Sequence, residues 1–199
     1  MDDILKTLNK AKKKSEWDEY VPVVYDKTDN TVHAYITDSI DVPSEYNKLC
    51  YILDSAKKSD KFTLHINTPG GMVDSALMLI NSIKNSKATV KARLSGTVAS
   101  AGTIISLSCD TLEVSPHTSF MIHNYSSGMQ GKGHEMKAYQ NFIDANLNKA
   151  FKAMYSGFLT DTEMDEVIEG KDLWINSDEV AERWQNVLEF RKGEKSGKA

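Results

Sequence analysis

The chain has 199 residues, 40% of them hydrophobic, and a formal net charge of −4. That suits one ordinary domain with a sizeable core, and a slightly acidic balance gives no reason to expect nucleic acid or an anionic membrane as partner. No apolar run approaches the ~20 residues that span a bilayer, and Met1–Lys14 is charged throughout, without the apolar core of a secretory signal. Cys50 and Cys109 fall in apolar helical and strand-edge patterns, as small buried side chains rather than a disulfide. The expected setting is soluble, reducing and cytoplasmic.

Residues 1–30 are expected to form a helical or mobile N-terminal segment. Within it Asp3–Lys13 places Ile4, Leu8 and Ala11 at helical spacing, and the lysines that follow read as a solvated face. Thr31–Thr37 alternates and is rich in β-formers, predicting a strand. Pro43-Ser44 opens a helix with Tyr46, Leu49, Cys50 and Leu53 on one face. Phe62–Ile66 is a second strand, ended by the breaker cluster Asn67-Thr68-Pro69-Gly70-Gly71, and Val73, Leu77, Ile80 and Ile83 mark the next helix. Thr89–Leu94 is a third strand that meets Gly96, after which Val98, Ala99, Ala101, Ile104 and Leu107 predict a buried helix. Thr111–Val114 and Ser119–Ile122 read as short strands. This alternation argues for an α/β fold with a largely parallel sheet.

From His134 to Tyr155 one long helix is predicted, with the apolar stripe Met136, Tyr139, Ile143, Leu147, Ala150 and Met154. Following Gly128, Gly131 and Gly133, it has the look of a helix that projects from the domain. Thr160-Asp161-Thr162-Glu163 has capping-box spacing, and Asn176 or Ser177 caps a last helix ending near Trp184. A domain over 31–190 and a disordered polar tail over 191–199 complete the expected organisation.

Chemistry gathers at two glycine motifs, each after a strand and before a helix: Asn67-Thr68-Pro69-Gly70-Gly71 and Gly96-Thr97-Val98-Ala99-Ser100-Ala101-Gly102. Helix N-termini at the carboxyl ends of strands point free N–H groups outward, and two such turns side by side suit an oxyanion hole. Ser100 sits among small residues that admit a substrate backbone, but spacing alone favours a serine that caps a helix. Of the five histidines, His33 and His65 fall within strands, His117 lies beside Pro116 and His134 opens the long helix. His123 follows Phe120-Met121-Ile122 at the mouth of the sheet, which favours it as a base. Asp172 precedes the apolar run Leu173-Trp174-Ile175, whose neighbours are expected to bury it enough to orient an imidazole.

At these residues the sequence resembles the Clp protease proteolytic subunit family. Ile66-Asn67-Thr68-Pro69-Gly70-Gly71 is similar to that family's Ile-Asn-Ser-Pro-Gly-Gly. Gly96–Gly102 resembles Gly-x-Ala-Ala-Ser-x-Gly, and Met121-Ile122-His123-Asn124 resembles Met-Ile-His-Gln. Lys171-Asp172-Leu173-Trp174 resembles the segment holding the catalytic aspartate, and Gly128-Met129-Gln130-Gly131 resembles the glycine-rich strand before the family's long handle helix. The resemblance implies a ClpP/crotonase-like spiral of βαβ units with a projecting handle helix. It implies Ser100, His123 and Asp172 as a triad, the backbone N–H groups of Gly71 and Ala101 as oxyanion hole, and no metal or organic cofactor. It further implies polypeptide substrates and a homo-oligomer of two stacked heptameric rings. An AAA+ ATPase unfoldase partner is also implied. Two departures bear on that partner: the segment before Thr31 does not resemble the family's axial loops, and Ala181–Gln185 lacks the usual Gly-Leu-Ile-Asp. A stand-alone or virus-particle maturation protease of the same fold is consistent with them. The rivals are a signal-peptide peptidase, a crotonase-type acyl-CoA enzyme, and a non-catalytic structural ring.

Overall fold

A computed structural model describes residues 21–126, 128 and 130–196. The predicted helix over Asp3–Lys13 and the end of the tail, Gly197–Ala199, lie outside the described residues. The chain builds one seven-stranded sheet: β1 (Val23–Asp26), β2 (Thr31–Ile36), β3 (Lys61–Thr68), β4 (Thr89–Ala99), β5 (Thr111–Val114), β6 (Ser119–Ile122) and β7 (Leu173–Asn176). Helices α1 (Asn47–Asp54), α2 (Val73–Asn85), α3 (Ala101–Ser108), α4 (Gly133–Met154), α5 (Asp161–Ile168) and α6 (Ser177–Ser196) join or flank the strands.

The sheet order is β1-β2-β3-β4-β6-β7, with β5 also on β4. The inner pairs β2/β3, β3/β4, β4/β5 and β4/β6 are parallel, while the outer pairs β1/β2 and β6/β7 are antiparallel. Parallel neighbours need crossovers, and the amphipathic helices α1, α2 and α3 supply them. Leu49, Leu53, Leu79, Ile80 and Ile105 from these helices are buried with Leu64, Ile66, Val90 and Leu94 of the strands. The other face of β2–β5 is more open. There Tyr35 stacks on His65 with centroids 4.4 Å apart, His33 Nδ1 lies 2.9 Å from His65 Nε2, and Arg93 Nε reaches Glu113 Oε1 at 2.9 Å. Burial, then the neighbouring His33 and Arg93, holds the His65 imidazole below its usual value. The two strand histidines thus pair with each other.

Strand β4 decides the architecture. Its first half, Lys91–Leu94, pairs with β5, and its second half, Thr97–Ala99, with β6. Between them the register with β3 slips, from Ile66↔Leu94 to Thr68↔Val98. Gly96 sits in this bulge at φ 64°, where an added Cβ would lie 2.9 Å from Asn67 Oδ1. That same oxygen accepts the Thr97 N–H at 3.1 Å. Val98 and Ala99 are therefore strand, not the start of the buried helix that their small apolar neighbours predict. The helix begins at Ala101. A glycine that reads locally as a breaker is here a bend within one strand.

Three further differences from the sequence expectation have simple causes. β1 and β7 are four residues each and exist through pairing with β2 and β6. No strand forms at Gly128, Gln130 or Gly131, which have no neighbouring strand to pair with among the described residues. Helix α6 does not end near Trp184, and the expected tail is helical through Ser196. Trp184 and Val187 are buried, and one turn on, Arg191 donates to the carbonyls of Cys109, at 2.9 Å, and Leu107, while its guanidinium covers the Trp184 ring at 5.0 Å. These contacts hold a polar segment helical against the end of α3. The capping box on α5 forms as its spacing predicts, Thr160 Oγ1 accepting from Glu163 N at 3.2 Å and Glu163 Oε2 from Thr160 N at 2.9 Å. Asn176 caps α6 through the N–H groups of Asp178 and Glu179, both at 3.0 Å.

Candidate active site

Ser100 occupies the single residue between β4 and α3. Its backbone stands at φ 53°, ψ −123°, a left-handed conformation that costs a non-glycine residue about 1–3 kcal/mol. Its side chain makes no capping hydrogen bond, so it is not the helix-capping serine that its local sequence allows. The surroundings hold it in this shape. Its N–H donates to Met121 O at 2.8 Å, and its carbonyl accepts from Thr103 N at 2.9 Å and Thr103 Oγ1 at 2.6 Å. Thr103 Oγ1 also pairs with the hydroxyl of Tyr155. Because the one threonine proton goes to Ser100, Tyr155 donates; burial raises the Tyr155 phenol well above its usual value and keeps that proton in place.

The Pro69-Gly70-Gly71 turn packs directly on this serine. Gly70 stands at φ 97°, and a Cβ there would fall 2.6 Å from Ser100 Cβ and 3.1 Å from Ala101 N. A Cβ on Gly102 would fall 2.4 Å from Thr68 Cγ2. Ile40 fixes the turn by donating to Gly70 O at 2.9 Å and accepting from Met72 N at 2.7 Å. In a parallel bridge of this kind the N–H of the middle residue, Gly71, points away from Ile40. Ala101 opens α3, so its N–H has no acceptor within the helix.

His123 follows β6 immediately. Beyond the β4/β6 pair Ala99↔Met121, the chain carries Ser100 and His123 to one pocket. Ile104 of α3 and Val73 and Leu77 of α2 line it from one side, and Leu147, Phe151 and Met154 of α4 from the other. Ser100 and His123 are both half-buried. Asp172 is placed by a different ladder. The antiparallel pair Ile122↔Leu173 makes His123 and Asp172 the next positions opposite each other. The turn before Asp172 is tied to the histidine segment, since Asn124 Nδ2 donates to Ile168 O at 2.8 Å. Asp172 is nonetheless exposed, contrary to the burial that Leu173-Trp174-Ile175 suggests. The reason is strand alternation: Ile175 is buried while Trp174 is 62% exposed, so the apolar run does not close over the carboxylate. Among the described residues no hydrogen bond joins Ser100 to His123 or His123 to Asp172. The serine and histidine meet at the pocket, and the aspartate lies beside them without engaging.

The model of the family described as Clp protease matches residues 16–183. The chain belongs to the Clp protease family. Its α/β sheet, with crossover helices and the long helix α4, is the fold of that family. Among similar proteins is the ATP-dependent Clp protease proteolytic subunit 2 of Pseudomonas aeruginosa, 27% identical over 125 residues, which are 62% of each chain. The ATP-dependent Clp protease proteolytic subunit of Streptococcus suis is 35% identical over 81 residues, 40% of this chain and 41% of that protein. Proteolytic subunit 2 of Treponema pallidum is 24% identical over 147 residues, 71% of this chain and 73% of that protein. The alignments thus span less than two thirds of the length of the first two relatives.

Tyr125, Thr103 and Tyr155 are the residues around the pocket that sequence reasoning passes over, and Asn124 enters it only as a motif position. Their spacing carries no signal, because each acts through a partner far along the chain. Helix α4 is largely exposed, as expected of a helix that projects from the domain. None of its residues is fully buried, Tyr139 is 54% and Phe142 63% exposed, while Leu147, Phe151 and Met154 turn to the pocket. Among the described residues no helix is long and apolar enough to cross a membrane.

Proposed function

We infer that the protein is a serine endopeptidase working by acyl transfer at Ser100. The observation that carries this is the strained, uncapped Ser100 facing a pocket it shares with His123. Strain of this kind is maintained only where surrounding structure over-determines it, and it thrusts the hydroxyl out of the strand-to-helix turn. In the reaction Ser100 Oγ attacks a peptide carbonyl and gives its proton to His123. The N–H groups of Gly71 and Ala101 hold the oxyanion. His123 then protonates the leaving amine, and water, deprotonated by the same imidazole, releases the acyl group and restores the serine. Asp172 sets the imidazole tautomer and balances its positive charge. The lining residues Val73, Leu77, Ile104, Leu147, Phe151 and Met154 favour an apolar side chain beside the scissile bond.

The assembly belongs to the same reading. Tyr139 and Phe142 are large, exposed and on one helix, a surface that a second copy of the chain would cover. Stacked heptameric rings with the sites inside are the assembly that the family resemblance implies for this chain, and relatives named as subunits of ATP-dependent proteases support an ATPase partner. The experiment is labelling with a fluorophosphonate and mapping the modified residue. Modification at Ser100, lost in Ser100→Ala together with peptide hydrolysis by a factor on the order of 10⁴ or more, is the expected result. Wild-type hydrolysis by purified Ser100→Ala overturns the reading.

A further inference from the structure

Tyr125 stands two residues after His123, and its ring lines the same pocket. Its hydroxyl donates to Asp144 Oδ1 and accepts from Gln140 Nε2 at 2.9 Å, and Gln140 Nε2 also reaches Asp144 Oδ1 at 2.9 Å. Gln140 and Asp144 are one turn apart on α4, so the three side chains close a small ring of hydrogen bonds. The bond to Asp144, then burial, raises the Tyr125 phenol above its usual value, which keeps it a donor. On the other flank, Asn124 Nδ2 holds Ile168 O at 2.8 Å while Asn124 Oδ1 accepts Tyr125 N at 2.8 Å. The backbone from His123 to Tyr125 is thus suspended between the end of α5 and the middle of α4. His123 itself makes no side-chain hydrogen bond among the described residues, so its orientation depends on these neighbours.

We propose that Tyr125 is a positioning residue for His123: the Tyr125–Asp144–Gln140 clasp ties the segment after the base to α4 and sets the reach of the imidazole to Ser100. This rests on the peptidase reading above. An ångström of misplacement at a reacting pair costs up to about 10²-fold in rate, so a clasp of this kind has measurable leverage.

The test uses the full chain, with kcat and KM on an unstructured peptide and the rate of fluorophosphonate labelling. Tyr125→Phe keeps the ring and removes the hydroxyl; Asp144→Ala removes the acceptor. Each is expected to lower kcat and labelling about tenfold with KM within about twofold, and the double variant to be no worse than either single, as for two ends of one contact. Asp144→Asn, which keeps an acceptor oxygen, is expected to recover most of the loss. Wild-type kcat in either single variant, or a double variant that loses the product of both effects, overturns the proposal. A wild-type chain that is never labelled at Ser100 overturns the peptidase reading and this with it, whereas a labelled wild type with unaffected variants overturns the clasp alone.

Discussion

The two sides of the pocket are built differently. On the serine side, glycine backbone packs so closely on its neighbours that no side chain fits: added Cβ atoms at Gly70 and Gly102 would fall 2.6 Å from Ser100 Cβ and 2.4 Å from Thr68 Cγ2. On the histidine side, Cβ atoms added at Gly128 and Gly133 would meet nothing within 4 Å, and α4 has no fully buried residue. The serine's unfavourable backbone is affordable because Met121 of β6, Thr103 of α3 and the turn at Gly70 hold it. The base and acid have no such support. They are placed by strand ends and by the contacts of Asn124 and Tyr125. On the peptidase reading, Ser100 is therefore set by close packing within the fold, while His123 and Asp172 rest on fewer contacts.

Asp172 is the sharpest point of that contrast. Asp172→Asn is expected to lower turnover by up to about 10⁴ near neutral pH, because the amide stabilises the wrong imidazole tautomer, with thermal stability unchanged for so exposed a side chain. Unchanged turnover would move the acid to another carboxylate, such as Asp165 or Asp178. A second break is Gly70→Ala. The left-handed φ of 97° and the approach to Ser100 Cβ together force the serine to shift, so activity is expected to fall by about 10², while Gly133→Ala, in open space, leaves it alone. Equal effects from the two would mean that the serine side is not the tighter one.

Assembly tests the open side. Phe142 is 63% exposed on α4 and does not line the pocket, so Phe142→Glu charges the helix without touching the site. The expected outcome in light scattering is a smaller particle, with activity reduced about tenfold as the histidine segment loses order. A charge at Leu147 would be harder to interpret, because Leu147 faces both the helix stripe and the pocket. An active monomer at working concentration would separate the site from assembly altogether.

Much of the serine side is legible in the sequence; on the other side the long helix and the place of His123 after a strand are legible, but the contacts that join them are not. Phe62–Ile66 with its Pro-Gly-Gly turn, and the small residues around Ser100, announce strand, turn and helix through local chemistry alone. The left-handed backbone at Ser100 is not local: it follows from the Met121, Thr103 and Gly70 contacts, which meet only in the fold. Strand β7 was read as an apolar run because four residues carry no periodicity; its identity comes from the ladder with β6. Tyr125 and Asp144 are 19 residues apart, and nothing in either neighbourhood points to the other. The long α6 was hidden because its anchor, Arg191, looks like any surface arginine until the carbonyls of Leu107 and Cys109 are beside it.

The smallest effect expected lies away from the pocket and asks whether the acid-bearing end is held independently. Arg183 donates to Glu163 Oε2 at 2.9 Å and Oε1 at 2.6 Å, to Glu179 Oε1 at 2.7 Å, and to Phe158 O at 3.2 Å, locking α5 to α6 on either side of β7. These bonds, with the capping contacts from Thr160, lower the Glu163 carboxyl to about 2. A carboxyl depressed on folding adds stability above its unfolded value, near 4.5, and that contribution disappears as pH falls through the folded value. Glu163→Gln is therefore expected to unfold more easily at pH 7, by about 1–2 kcal/mol, with the gap to wild type narrowing between about pH 4.5 and 2. Urea unfolding at several pH values measures it. Since Asp172 lies between α5 and α6, just ahead of β7, loosening this lock should also lower turnover in proportion. A variant that loses stability but keeps full activity would show that the β6/β7 ladder alone positions the acid.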